Sequence, residues 1–325
     1  MQTCDLDALK HASRLLFTIP LKPRQGSRFQ PTGFPSLGAA TYQTPAGTSL
    51  LVESAQSMAN RLEATCWDAE KNQVHSALSG ISHVRVMRKG EFLTDTLIEA
   101  HRINSPYILE NSEKSFFTEL KKELGGLEEG PVNRKKLAQV LFNFDINSLL
   151  HGVFLAKPGL AGGRLRIARA ISAFVEADGV RVAASGGVKN DHVNPTGDSV
   201  KGFGTVPFAR DEYTAENLNL YVNVDLAQLR GYGLDEQATR LLMLLALFKI
   251  RRLLEGELRF RTACDLTPVA RDIIAESPAG WALPELSALE QALKESIRAC
   301  SKLMKEREVR FEDALKKGSE SDSPS

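Results

Sequence analysis

The run from Ala238 to Leu254, ATRLLMLLALFKIRRLL, constrains this chain more than any other stretch, because a helix through it is apolar on almost every side. Such a helix has to be covered from more than one direction. Its charges fit the helix dipole, with Asp235 and Glu236 at the positive end and Lys249, Arg251 and Arg252 towards the negative end. The flanking residues supply a sheet as the cover. Before the helix, Leu218, Leu220, Val222 and Val224 alternate with Asn217, Asn219, Tyr221 and Asn223. After it, Leu258, Phe260 and Thr262 alternate with Arg259, Arg261 and Ala263, a strand whose outward face is basic. That face suits a polyanion, and equally an edge strand that protects itself with charge.

Earlier in the chain, Leu15, Phe17 and Ile19 alternate into a strand closed by Pro20 and Pro23. The stretch RQGSRFQPTGFPSLGAATYQTPAG follows, a Gly- and Pro-rich loop with Phe29, Phe34 and Tyr42 among basic residues. It is suited to stacking bases and offering backbone N–H groups to phosphates, or else to packing its aromatics on the core. From a cap at Thr48 or Ser49, Leu51, Val52, Ala55, Met58, Ala59, Leu62 and Cys66 fall at helical spacing. The region 67–134 is polar and mixed in period, broken at Gly125-Gly126 and Gly130-Pro131, and reads as an inserted subregion. His75, His83 and His101 lack ligand spacing there.

Net charge excludes a simple basic polyanion binder, since 41 Lys and Arg meet 40 Asp and Glu for a formal +1. Charge is segregated instead: no acid occurs from Ala8 to Val52, where Lys10, Arg14, Lys22, Arg24 and Arg28 stand. The stretch Phe142–Lys189 carries Lys157, Arg164, Arg166, Arg169, Arg181 and Lys189 against Asp145, Glu176 and Asp178. A basic, glycine-opened surface on a sheet suits a phosphate backbone. Within it, Ser148 is positioned to cap a short helix whose buried side holds Leu149, Leu150, Val153 and Phe154, with His151 and Lys157 towards the following loop. The Pro158–Gly163 loop has neither G-x-x-x-x-G-K-[ST] nor G-x-G-x-x-G, so no nucleotide cofactor is expected. Leu165, Ile167, Ile171, Ala173 and Val175 alternate with Arg166, Ala168, Ala170, Ser172 and Phe174 as a strand, with a helix from Arg164 onward as the alternative. Asp178-Gly179 reads as a hairpin turn into Val180 and Val182. Glycines at 186, 187, 197, 202 and 204 then make 186–214 a protruding, flexible hairpin. Residues 286–315 are helical in type, and GSESDSPS at the end is disordered by composition.

Four cysteines, Cys4, Cys66, Cys264 and Cys300, form no C-x-x-C pair, which argues against a zinc site or disulfide framework and for a reducing compartment. The start MQTCDLDALK has no apolar signal region, and the longest apolar run, Leu241 to Phe248, is far below membrane-spanning length. A soluble cytoplasmic protein without cofactor, metal or membrane partner is expected.

Taken in order, strand, helix, insertion, strand, hairpin, strand, helix and strand give an α/β (α+β) fold: a ferredoxin-like or RNA-recognition palm with large insertions. The palm is expected over 1–270, with 68–134 inserted and 186–214 as the protruding hairpin; 271–325 is expected to be a charged helical appendage and a disordered tail. Four collinear segments also resemble a known family. They are RFQPTGFPSLGAATY followed by LVESAQSMANRLE; FNFDINSLLHGVFLAKPGLAGGRLRIARAISAFVEA with SGGVKND; GFGTVPFARDEYTA; and ELRFRTACDL. Across most of residues 10–267 the chain resembles the backbone (seventh) Cas protein of type I-U, now I-G, CRISPR Cascade complexes, in the RAMP superfamily. The resemblance implies copies stacked along one CRISPR RNA, joined by other Cascade subunits, with 186–214 as a protruding thumb-like hairpin and guide bases left to pair with target DNA. It implies a separate nuclease, so no catalytic residue is expected here.

By charge and position, the RNA-binding residues expected are Lys22, Arg24, Arg28, Phe34, Lys157, Arg164, Arg166, Arg169, Lys189, Lys201, Phe203, Arg259 and Arg261. Two alternatives stand beside this reading. One is a stand-alone, sequence-indifferent single-stranded RNA-binding protein of the same fold. The other is a metal-dependent RNA nuclease using Asp145, Asp191, His192 or Asp198.

Overall fold

The computed structural model describes residues 4–34, 38–45, 47–111, 114–256 and 258–315. They form a mixed α/β architecture around one large antiparallel sheet. The N-terminal part supplies β1 (Leu15–Pro23), a short pair β2 (Gly33–Phe34) and β3 (Gly38–Ala39), the hairpin β4 (Thr41–Thr44) and β5 (Gly47–Glu53), and helix α1 (Ala55–Ala64). A second region holds β6 (Trp67–Asp68), β7 (Gln73–Val74), β8 (His83–Arg88) and β9 (Glu91–Asp95), then α2 (Pro106–Leu109), α3 (Ser115–Glu123), α4 (Arg134–Phe144) and α5 (Asn147–His151). Next come β10 (Val153–Leu155), β11 (Leu165–Ile167), β12 (Ile171–Asp178), β13 (Arg181–Lys189), β14 (Val206–Thr214) and β15 (Asn217–Val224). The chain continues through α6 (Leu226–Gly231), α7 (Glu236–Gly256), β16 (Arg259–Arg261), β17 (Cys264–Pro268), α8 (Leu286–Cys300) and β18 (Glu306–Arg310).

The large sheet runs β16-β17-β1-β15-β12-β5-β4. Its core face is the one that the alternation foretells: Leu15, Phe17 and Ile19 of β1, Ala173, Val175 and Ala177 of β12, and Leu220, Val222 and Val224 of β15 are all buried. Helices α1 and α7 cover that face. On the other side Phe174 stacks on Tyr221 with ring centroids 5.1 Å apart. Helix α7 is enclosed as its composition demands, and even Lys249 and Arg251 are buried along it. Their donors are satisfied inside the protein: Lys249 Nζ donates to Asn147 Oδ1 at 2.8 Å, and Arg251 donates to the Leu283 and Pro284 carbonyls.

Several local expectations change for identifiable reasons. Residues 47–53 are strand β5 rather than the first turn of a helix, and α1 starts at Ala55, where the Ser54 hydroxyl accepts from Ser57 N at 3.2 Å. Pro20 lies within β1 and does not end it, while the strand does close at Pro23; the Pro20 carbonyl still accepts from Val269 N at 2.9 Å, so only its absent N–H is lost to the ladder. The chain does turn at Gly179, where φ is +61°, yet β12 and β13 do not pair. Both edges of β12 are already occupied, by β15 and β5, so β13 leaves the sheet and pairs with β14 over its whole length. The hairpin expected from the glycines is therefore a separate two-stranded ribbon, and its tip is held by Asp191, which accepts from Val193, Asn194 and Gly204 N–H groups at 2.9, 3.0 and 2.8 Å.

The inserted region and the C-terminal segment also differ from a purely helical reading. Strand β18 pairs parallel to β8, which pairs antiparallel to β9, so residues 306–310 and 83–95 make one three-stranded sheet. The GSESDSPS tail lies outside the described residues. No helix among the described residues is long and apolar enough to cross a membrane.

Candidate nucleic-acid interface

Two glycines build the surface at the centre of the basic stretch. Gly152, at φ +79°, ends α5; a Cβ there would lie 2.8 Å from the Ile167 carbonyl and 2.9 Å from Arg169 N. Gly163, at φ +69°, lets the chain pass the Ala156 carbonyl, which a Cβ would meet at 2.6 Å. Only glycine permits both approaches. Between them β10 and β11 pair as a short hairpin in which Phe154 lies directly across from Arg166. Leu155, Leu165 and Ile167 turn into the core, so Phe154 and Arg166 turn out, Phe154 with 54% of its surface exposed.

Arg166 borders two adjoining hollows. The larger, about 980 Å³, is also lined by Arg14, Arg134, Arg164 and Tyr232; the smaller, about 490 Å³, by Arg102, Arg169, His151 and Phe154. Arg14 is tied to Asp225 at 2.6 Å, and Arg102 is held by both oxygens of Glu63 at 2.6 and 3.0 Å. The other four, Arg134, Arg164, Arg166 and Arg169, have no carboxylate partner among the described residues. Arg164 is oriented by the Gly130 and Leu127 carbonyls at 2.9 and 2.6 Å, and Arg169 by the Ala55 carbonyl at 3.1 Å. Partial burial, then the nearby Arg102 charge, lowers the affinity of Arg169 for its own proton. Crowded, unneutralised guanidiniums beside an exposed aromatic ring are equipped to take phosphates and stack a base.

Beneath the smaller hollow lies a buried polar network. Asn147 links Lys249 to Glu63, donating to Glu63 Oε1 at 2.8 Å, and Glu63 carries Arg102, whose third contact is the Gly152 carbonyl at 3.0 Å. Asp145, also buried, accepts from the Ser148 hydroxyl at 2.6 Å. The serine thus braces Asp145 and does not cap α5, which has no side-chain cap. Burial pushes the Asp145 carboxyl up to about 6. His151 is buried rather than turned to the loop; burial first, then Lys249, Arg102 and Arg169, hold its pKa well below the usual imidazole value.

Nine of the thirteen sequence-expected residues fall into three places. Arg164, Arg166 and Arg169 share the groove just described. Arg24, Arg28 and Arg259 line a separate hollow of about 510 Å³, where Asp265 lies 3.4 Å from Arg24 and Glu212 lies 3.8 Å from Arg28. Lys189, Lys201 and Phe203 sit on the β13–β14 ribbon, Phe203 with 51% of its surface exposed. Lys22 is exposed on β1, while Lys157 pairs with Glu110. The backbone of Phe34 pairs with Gly38, and its side chain lies outside the described residues.

Arg261 is neutralised rather than free: while Arg259 on the same strand is exposed, Arg261 is only partly exposed and pairs with buried Glu53, which also receives Arg61 at 2.9 Å. Asp145, Asp191, His192 and Asp198 are not brought together, and no group of three His, Cys, Asp or Glu side chains suited to a metal occurs among the described residues. The groove residues that the sequence reading did not select are Arg14, Arg102, Arg134 and Phe154. Only the absence of acids around Arg14 gave a hint of them.

Comparison with known proteins gives a family match. The model described as CRISPR-associated protein GSU0053 matches residues 15–182. No curated protein matches the chain. Among solved structures, the chain is similar to a pre-nicking CRISPR RNA-guided surveillance complex at 14% identity, over 78% of this chain and 75% of that one, with a TM-score of 0.40. A second CRISPR RNA-guided surveillance complex is similar at 14% identity over 78% and 66%, with a TM-score of 0.36. Csc2 of Thermofilum pendens is similar at 10% identity over 93% and 81%, with a TM-score of 0.32.

Proposed function

The chain belongs to the family of the CRISPR-associated protein GSU0053, and from that footing we propose that it is an RNA-binding subunit of a Cascade surveillance complex. The observation that carries this reading is the groove in which Arg134, Arg164, Arg166 and Arg169 lack carboxylate partners beside exposed Phe154. In this reading the groove takes the phosphate backbone of single-stranded CRISPR RNA and leaves the bases to pair with target DNA. The chain is then the backbone subunit of a type I-U/I-G complex, several copies lying along one guide beside other Cascade subunits in the cytoplasm. An RNA-recognition-like palm is supported by the order of β17, β1, β15 and β12, which are the fourth, first, third and second strands of a βαββαβ unit whose helices are α1 and α7. The β13–β14 ribbon supplies the thumb that spaces neighbouring copies. It carries exposed Val188, Phe203 and Phe208, apolar points better matched to a neighbour than to water.

Salt dependence of RNA binding tests the reading. Each phosphate neutralised on a single strand contributes a slope of about −0.7 in log affinity against log salt, so four arginines contribute roughly −2.8. Fluorescence anisotropy with unrelated single-stranded RNAs should show affinity falling about 50-fold between 50 and 200 mM salt from this groove alone. Replacing Arg166 and Arg169 by alanine should make the slope shallower by about 1.4 for every sequence. The RNA should be recovered intact after incubation with magnesium or manganese. Salt-independent binding, or an unchanged slope in the double variant, removes the groove as the RNA site.

A further inference from the structure

His151 is the group that the groove does not yet explain. Only 2% of the residue's surface is exposed, and neither ring nitrogen has a hydrogen-bond partner. A neutral imidazole carries one N–H, and a buried donor without an acceptor is rare enough to require a cause. His151 is one of the residues lining the smaller hollow, with Arg102, Arg166 and Arg169, and both ring nitrogens lie just beneath its surface, shielded from solvent. None of the side-chain acceptors in the network beneath pairs with it. Glu63 is taken by Arg102 and Asn147, and Asn147 Oδ1 takes Lys249. Asp145, which takes the Ser148 hydroxyl on one oxygen and has no partner on the other, makes no bond to His151. The charges facing the ring are those of Lys249 on α7, Arg102 before α2 and Arg169 between β11 and β12, all cationic. An acceptor that enters this hollow from outside is therefore favoured when it is an anion.

We propose that the hollow between Arg166, Arg169 and His151 is a discrete site for a single phosphate group, with the His151 N–H as the donor that completes it. Donor-bearing residues line the hollow from three elements: α5 through His151, β11 through Arg166, and the connection to β12 through Arg169. A tetrahedral phosphate offers oxygens in as many directions, whereas a planar carboxylate offers two in one plane. Phe154 at the rim, opposite Arg166, gives the attached base a ring to stack on. The inference rests on the RNA reading and narrows it: this hollow fixes one nucleotide by its phosphate, and the larger arginine-lined hollow follows the rest of the backbone.

The test uses the full chain labelled with ¹⁵N-histidine, titrated in turn with inorganic phosphate, with single-stranded RNA ending in a 5′-hydroxyl, and with the same RNA carrying a 5′-phosphate. Expected is a saturable shift of the His151 ring resonances with inorganic phosphate and with both RNAs, abolished by Arg166→Ala combined with Arg169→Ala. A shift with inorganic phosphate and only the 5′-phosphorylated RNA supports the site and makes a strand end its source. His151→Phe should melt no lower than wild type in phosphate-free buffer, yet lose the rise in melting temperature that excess inorganic phosphate gives wild type. Ring resonances that stay still while anisotropy shows RNA bound in the arginine groove overturn the phosphate site and leave the RNA reading intact. Loss of RNA binding altogether overturns both.

Discussion

Replacing Glu63 by glutamine should destabilise the protein more than most single changes. Glu63 is the one carboxylate of its network: it receives Arg102 through both oxygens at 2.6 and 3.0 Å and Asn147 at 2.8 Å, while Asn147 holds Lys249 at 2.8 Å. Glutamine keeps the shape and leaves two buried cations without a counter-charge. Breaking a buried pair in this way costs about 3–5 kcal/mol. Unfolding entropy of about 2.1 cal/mol/K per residue gives roughly 0.7 kcal/mol/K for a chain of this length, so the melting temperature should fall by roughly 4–7 °C. Lys249→Met removes one of the two cations, and the double variant should therefore lose about 1–2 kcal/mol less than the sum of the singles. Calorimetry of the four proteins closes the cycle. Glu63→Gln within about 0.5 kcal/mol of wild type, or strictly additive single changes, would refute the network as the link between α1, α5, α7 and the Arg102 turn.

Two further outcomes are expected. With its folded pKa raised by burial from 3.8 to about 6, Asp145 binds its proton more tightly folded than unfolded, so its contribution is full below the unfolded value and is lost as pH rises through about 6; Asp145→Asn should flatten that fall by up to about 3 kcal/mol, measured as the difference between variant and wild-type melting at pH 4 and pH 8, and an identical pH profile would count against a buried, proton-holding Asp145. Deleting 194–205 should leave a folded protein by circular dichroism, because β13 and β14 pair with each other and not with the large sheet, but should abolish regular rows on guide-length RNA in negative-stain images; rows that persist would show that the ribbon does not space neighbouring copies.

The sheet and its buried helix were legible in the sequence because their signals are long. Nine residues of β1, eight each of β12 and β15, and the 21 of α7 carry a period that no local accident imitates. Residues 47–53 misled because Thr48, Ser49 and Ser54 all offer a cap and Leu50, Leu51 and Val52 run together, satisfying both periods. At β10 the difficulty was length: three residues show no alternation, so Phe154 read as part of a buried helix face. Arg164, Arg166 and Arg169 stood out by their closeness in sequence. Their companions could not, since Arg14, Arg102 and Arg134 reach the groove through strand order and a helix start, and Arg102 finds Glu63 at a separation of 39 residues.

The parallel pairing of β18 with β8 sets an order of events during synthesis. Strand β8 ends at Arg88 and its outer partner does not begin until Glu306, so on the ribosome one edge of the inserted sheet waits for more than 200 further residues. At about 5–20 residues per second that wait is on the order of 10–40 s. The arginine groove and the large sheet are both completed within this interval, the last strand of that sheet ending at Pro268. The β8–β9 hairpin thus passes its first seconds with an open edge, the state in which strands recruit the wrong neighbours. Overexpressed chains truncated before residue 306 should keep that edge permanently open, making loss of the last strand a defect of solubility before it is a defect of binding.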